Sequence, residues 1–178
     1  MTLETLKSSL PEYAKDLRLN LDSVLGEGGA PGLDGKQIRA VALAAAIVSR
    51  YAPLTRAIEA FASEQLDAGE CDGVRAAAAI MGMSNIYYRF THLVGNDEYQ
   101  TLRAGLRMNV LARPGVDKVA FEAACLAASA VNGCGACLAS HEKVLRQHGM
   151  SAQGVQSIAR IAAVIHAVAV TVEQAAAA

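Results

Sequence analysis

The segment VNGCGACLASH, residues 131–141, holds three side chains whose types and spacing suit thiol chemistry. Cys134 and Cys137 stand three positions apart, and His141 follows four positions later. On a helix that starts at residue 133 or 134 these are positions i, i+3 and i+7, which share one face. An i, i+3 cysteine pair at a helix start brings its Cα atoms into the disulfide window of about 4.4–6.8 Å, so such a pair can close and reopen. Unpaired N–H groups and the positive end of the helix dipole favour a thiolate in the first turn, most of all at Cys134. His141, one turn beyond Cys137, can instead take the Cys137 proton. The two effects favour different sulfurs.

A histidine base works best when a carboxylate orients it, and the preceding helix offers Glu122. Folded back antiparallel from the Asn132-Gly133 turn, Glu122 lies about 15 Å from the turn and His141 about 10 Å, a gap that a glutamate and one water would close. Glu142 points away by helical spacing. Two rival readings fit the same residues: an inert buried thiol pair, or a zinc site built from Cys134, Cys137, His141 and Glu122. Cys71 and Cys125 lack a histidine at helical spacing and read as buried apolar side chains. His166 reads as a core histidine, His92 and His148 as caps of helix-end carbonyls, and Met81, Met83 and Met108 as packing.

The elements that must position these groups are helical, because Ala and Leu fill most segments and runs of alternating β-branched residues are missing. The expected architecture is all-α, a compact bundle of about eight helices. Pro11 suits the first turn of a helix to about Leu25, and GEGGAPG, residues 26–32, forms a loop. Asp34 with Gln37 makes a capping-box start for a helix through about Arg50. Pro53 opens another that ends before Gly69. Further helices are expected over about Asp72–Phe90, near Tyr99–Leu111, from Asp117 to Val131, from Cys134 to Gly149, and after Ser151. A faint echo between AIMGMSNIYYRF (79–90) and AVNGCGACLASH (130–141) suggests an internal duplication in which only the second copy kept the thiols.

The chain has 178 residues, 53% of them apolar, which fits one domain over 1–178 with the active-site helices in 117–149. Sixteen Lys and Arg nearly cancel 17 Asp and Glu, and no basic stripe is interleaved with aromatics, so nucleic acid is not an expected partner. The N-terminus lacks the pattern of a secretory signal, and the chain reads as cytoplasmic. The apolar stretch Ile158–Val172 contains Arg160 and His166 and is expected to be a core helix, too short and too polar to cross a bilayer. Four unevenly spaced cysteines in a reducing compartment point to redox cycling or metal binding rather than a disulfide scaffold.

The pattern E-x(11)-C-x-x-C-x-x-x-H, from Glu122 to His141, resembles the alkyl hydroperoxide reductase D (AhpD) proteins of the carboxymuconolactone decarboxylase-like superfamily. LKSSLPEYAKDLRLNL near the start, AAAAIMGMSNIYYR and LRMNVLARPGVDKVAFE extend the resemblance over nearly the whole chain. The resemblance implies an antioxidant, lipoyl-dependent alkyl hydroperoxidase and thiol–disulfide reductase. Cys137 would be the peroxidatic thiol that becomes a sulfenic acid, Cys134 the resolving thiol and proton donor, and Glu122 and His141 the proton relay. No cofactor would be tightly bound. Electrons would come from dihydrolipoyl groups on an acyltransferase, recharged by dihydrolipoamide dehydrogenase with NADH. Organic hydroperoxides and an AhpC-type peroxiredoxin would be the oxidants, and the assembly a homotrimer with no membrane or nucleic-acid partner. The chain departs from some members at Ala136, where they carry histidine. The decarboxylase or lactone chemistry found elsewhere in the superfamily calls for no vicinal thiols. The rival class is a non-catalytic zinc-binding or redox-sensing helical module.

Overall fold

The computed structural model describes residues 2–176, so Met1, Ala177 and Ala178 of the expected 1–178 unit lie outside the described residues. Those residues form ten helices and no strand, in line with the all-α expectation: α1 Leu3–Ser9, α2 Lys15–Leu25, α3 Gly35–Ser49, α4 Ala52–Ala62, α5 Ala68–Leu93, α6 Glu98–Thr101, α7 Asn109–Ala112, α8 Lys118–Asn132, α9 Gly135–Gln147 and α10 Ala152–Ala176. The α3 start is the expected capping box, with Asp34 Oδ1 accepting from the Gln37 amide at 2.8 Å and Gln37 Oε1 accepting from the Asp34 amide at 3.0 Å. Pro53 falls in the first turn of α4, where its missing N–H costs no hydrogen bond.

Three expectations change. The helix expected from Pro11 to about Leu25 opens with a 3-10 turn, Glu12–Ala14, that runs directly into α2, with Pro11 extended as its N-cap, and a break at Leu10 and Pro11 separates it from an additional helix, α1, that ends at Ser9. The Arg18 guanidinium donates to the Leu10 carbonyl at 2.8 Å, satisfying one acceptor that the break leaves over. Second, α5 begins at Ala68 rather than near Asp72, because Asp67 and Glu70 form a second reciprocal capping box that carries the helix through Gly69. Third, the helix expected near Tyr99–Leu111 is two four-residue turns, α6 and α7, interrupted where Gly105 adopts φ +66°. Leu102 and Leu106 remain exposed there, so no buried apolar face holds a longer helix.

At the centre α3 packs on α8, and α4, α5, α9 and α10 surround the pair. The facing helices are rich in fully buried alanines, among them Ala44 and Ala45 on α3 and Ala123 and Ala127 on α8, which let small side chains interdigitate. Helix α10 spans 25 residues with a mean hydropathy of 1.7 over its most apolar window. By length and composition it is therefore long and apolar enough to cross a bilayer, contrary to the sequence-based expectation. Its Ile158, Ile161, Ile165, Val168 and Val172 recur at helical spacing, are buried, and lie on a helix packed against α2, α3 and α8, as a core helix requires. The two segments of the internal echo differ in conformation. Residues 79–90 lie wholly inside α5, whereas 130–141 cross from α8 into α9.

Candidate active site

The α8–α9 junction places the two sulfurs. Gly133 takes the left-handed conformation, φ 69° and ψ 38°, which a Cβ would disfavour. Its amide donates to the Ala130 carbonyl at 3.2 Å and the Cys134 amide to the Ser129 carbonyl at 3.1 Å, a Schellman closure of α8. Cys134 is thereby fixed as the N-cap of α9, one residue ahead of its first helical position. Its Sγ accepts from the Cys137 amide at 3.3 Å, so one open donor of the helix start is directed at this sulfur. Cys134 and Cys137 are disulfide-bonded with Cα atoms 5.3 Å apart, inside the expected window. Cys134 is 0% and Cys137 5% exposed.

Glu122 on α8 and His141 on α9 meet directly, with no intervening water required: His141 Nδ1 donates to Glu122 Oε2 at 2.6 Å. The other carboxylate oxygen takes a 2.7 Å ion pair from Lys118, one turn earlier on α8. Burial pushes the Glu122 carboxyl up, but the hydrogen bonds from His141 and Lys118 outweigh it and hold the group below the ordinary carboxylate range. An ionised Glu122 can only accept, which assigns the Nδ1 proton to the ring. The other ring nitrogen, Nε2, faces the sulfur of Met81 at 3.3 Å. Among the described residues, no hydrogen bond joins His141 to either cysteine in this disulfide form.

Sequence reasoning thus named Cys134, Cys137, His141 and Glu122, and the structure brings all four to the α8–α9 hairpin. It missed Lys118, whose i−4 spacing from Glu122 was available as a signal. It also missed a buried polar group behind the histidine. Asn85 Nδ2 donates to Ser129 Oγ at 2.9 Å, Asn132 Nδ2 donates to Asn85 Oδ1 at 3.0 Å, and Ser129 Oγ lies 3.4 Å from Met81 Sδ. Met81 packs in the core as expected, yet it also contacts the site.

The remaining candidates separate from the site. Cys71 and Cys125 are buried as expected, and burial, aided by the Glu122 charge, pushes the Cys125 thiol far up, so it stays protonated. Glu142 is exposed and pairs with Arg146. His166 is exposed rather than a core histidine, because it lies about 100° around α10 from buried Ile165, and its Nδ1 sits 3.2 Å from Ser49 Oγ. Neither the His92 nor the His148 imidazole caps a carbonyl among the described residues; His148 closes α9 through its backbone N–H, to Val144. Among the described residues, no three His, Cys, Asp or Glu side chains are grouped to hold a metal.

The chain is 52% identical to alkyl hydroperoxide reductase AhpD of Rhodospirillum centenum over 174 residues, covering 97% of this chain and 91% of that protein. It is 51% identical to the protein of the same name from Gluconacetobacter diazotrophicus over 177 residues, covering 99% and 96%. It belongs to the AhpD family. AhpD of Streptomyces coelicolor is 49% identical over 173 residues, and the carboxymuconolactone decarboxylase family model matches residues 97–178. That matched region contains the whole α8–α9 hairpin and so all four of Glu122, Cys134, Cys137 and His141.

Proposed function

We propose that the chain is an alkyl hydroperoxide reductase, an oxidoreductase of peroxidase type that works through the Cys134–Cys137 dithiol. The observation that carries this reading is a bonded C-x-x-C pair at a helix start, beside a buried carboxylate–imidazole couple on the same hairpin. The AhpD name borne by relatives near 50% identity over almost the full chain supports it.

In the proposed cycle the Cys137 thiolate attacks the terminal oxygen of an organic hydroperoxide. The O–O bond breaks, the alcohol leaves with a proton, and Cys137 becomes a sulfenic acid. Cys134 condenses with it, water leaves, and the disulfide forms. Cys137 suits the attacking role because it retains some exposure, whereas Cys134 is fully enclosed. His141, four residues on along α9, and Glu122 behind it supply and receive the protons. The dihydrolipoyl group of an acyltransferase returns two electrons and two protons, and dihydrolipoamide dehydrogenase restores that group with NADH. The disulfide of an AhpC-type peroxiredoxin is the alternative oxidant of the dithiol.

The rival zinc-binding module needs both sulfurs free and the Glu122 carboxylate turned toward them. Lys118 and His141 occupy that carboxylate instead. The test is NADH oxidation with lipoamide, lipoamide dehydrogenase and cumene hydroperoxide. Turnover is expected in the native chain and none in Cys137→Ser. Equal rates in the two proteins would overturn the reading.

A further inference from the structure

Asn85 on α5 is 0% exposed, in a core built mostly of alanine and aliphatic side chains. Burying an amide costs free energy unless its donor and acceptor are both met, and an aliphatic residue would fill the same space without that cost. Here both are met. Asn85 Nδ2 donates to Ser129 Oγ at 2.9 Å and to Met81 Sδ at 3.5 Å, and Oδ1 accepts from Asn132 Nδ2 at 3.0 Å. Four residues on, Arg89 Nη1 donates to the Asn132 carbonyl at 2.6 Å, one of the acceptors that the end of α8 leaves open. The Ser129 carbonyl in turn accepts from the Cys134 amide at 3.1 Å. The last turn of α8, from which Gly133 leads to the first sulfur, is therefore gripped from α5 at three points. Met81, one turn before Asn85, meets His141 Nε2 at 3.3 Å. Positions 81, 85 and 89 follow i, i+4 and i+8 spacing, so one ridge of one helix sets the imidazole against the thiol turn.

From this placement we infer that Asn85 and Arg89 are positioning residues that hold the C-x-x-C turn in its closing geometry whether or not the sulfurs are joined, and so set both the speed at which the disulfide forms and its resistance to reduction. The inference rests on the dithiol–disulfide reading above. In the closed form the Cα atoms of Cys134 and Cys137 stand 5.3 Å apart. A turn fixed near that separation from outside loses little freedom when the bond forms, which raises the effective concentration of one sulfur at the other. In the resolving step the Cys134 thiolate attacks the sulfenic sulfur of Cys137, the S–O bond breaks and the S–S bond forms. The departing hydroxide takes up the proton that Cys134 gave up and leaves as water. Asn85 and Arg89 act through Ser129 and Asn132, not on the sulfurs themselves.

Two measurements on the full chain test this. In the first, the reduced protein receives one equivalent of cumene hydroperoxide in the presence of dimedone, and peptide mass mapping gives the ratio of Cys137–dimedone adduct to Cys134–Cys137 disulfide. In the second, the protein is equilibrated with reduced and oxidised dithiothreitol. Arg89→Met keeps the stem of an exposed side chain and removes the guanidinium contact; Asn85→Leu keeps the volume and removes the amide. Each should raise the adduct-to-disulfide ratio about tenfold and make the disulfide about tenfold less favoured against dithiothreitol, raising its reduction potential by about 30 mV. Arg89→Lys, whose ammonium can still donate to the Asn132 carbonyl, should recover most of both. Ser84→Ala is the control: it removes a buried α5 hydroxyl that bonds Met108 at 3.5 Å instead of the turn, and it should match the native chain. Native values in Arg89→Met with helical circular dichroism retained overturn the assignment even where Asn85→Leu does not fold, and so does an equal shift in Ser84→Ala. A native chain that gives neither adduct nor disulfide with peroxide overturns the peroxidase reading instead, and the dithiothreitol equilibrium then decides the positioning role alone.

Discussion

At the scale of single residues, Glu122 has two roles that one substitution separates. It is an acceptor for His141 and Lys118, and its charge is what keeps the imidazole proton on Nδ1. Glu122→Gln preserves shape but loses that charge, so turnover should fall by about 10²- to 10⁴-fold, the usual cost of lost acid–base assistance. Peroxide kinetics unchanged in this variant would remove Glu122 from the relay. The same residue sets an acid limb of stability. Its folded pKa is depressed, so the folded state is favoured above the unfolded carboxyl pKa, and that advantage disappears as pH falls through the lower, folded value. The stability difference between native chain and Glu122→Gln should therefore be about 2–4 kcal/mol near neutrality. It should shrink below the ordinary carboxyl value of 4.5, as read from urea unfolding across pH. A difference that stays constant into acid would mean the carboxylate is not selectively stabilised.

At the scale of elements, the thiol pair depends on how α8 stops. Gly133 sits at φ 69° with nothing within 4 Å of a built Cβ, so Gly133→Ala meets no clash and its cost is purely conformational. That cost is about 1–2 kcal/mol, equivalent to a melting-temperature drop of about 2–8 °C for a chain of this size. Gly135→Ala, at an equally open position without a positive φ, is the control and should leave the melting temperature nearly unchanged. Equal drops in both variants would refute the left-handed stop as the positioning device. This junction was legible in the sequence because Asn-Gly, the C-x-x-C spacing and the histidine obey local helical geometry. Glu122 was legible for the same reason, one helix earlier. Met81, Asn85 and Ser129 were not, since their contacts join α5 to α8 and α9 across more than 40 positions, where periodicity carries no information. The early start of α5 was missed because Gly69 looks like a helix stop unless the Asp67–Glu70 box on either side of it is recognised. His166 was misplaced because apolar neighbours in sequence say little about helical phase.

At the scale of the whole molecule, the core leaves one apolar stripe uncovered. Ile86, Phe90, Leu93 and Val94 follow i, i+4, i+7 and i+8 spacing on and just beyond α5, and they are 63%, 47%, 69% and 40% exposed. Scattered exposed aliphatics are ordinary, but a stripe on one helix face is the mark of a surface that another chain covers. At about 100° per residue Tyr88 lies on the opposite face of α5, whereas Tyr87 falls within about 20° of Val94 and the Phe90 ring packs on Tyr99, so a subunit seated on the stripe comes close to Tyr87 and Tyr99. The family resemblance implies a homotrimer, and in such a ring the stripe of each subunit would meet a different patch of the next, head to tail. Light scattering on the native chain should then give three times the 18.5 kDa chain mass. Ile86→Glu with Phe90→Glu should give a single chain mass with helical circular dichroism retained, because neither side chain contributes to the core. A native mass of one chain, or a trimer that survives both glutamates, would move the assembly surface elsewhere.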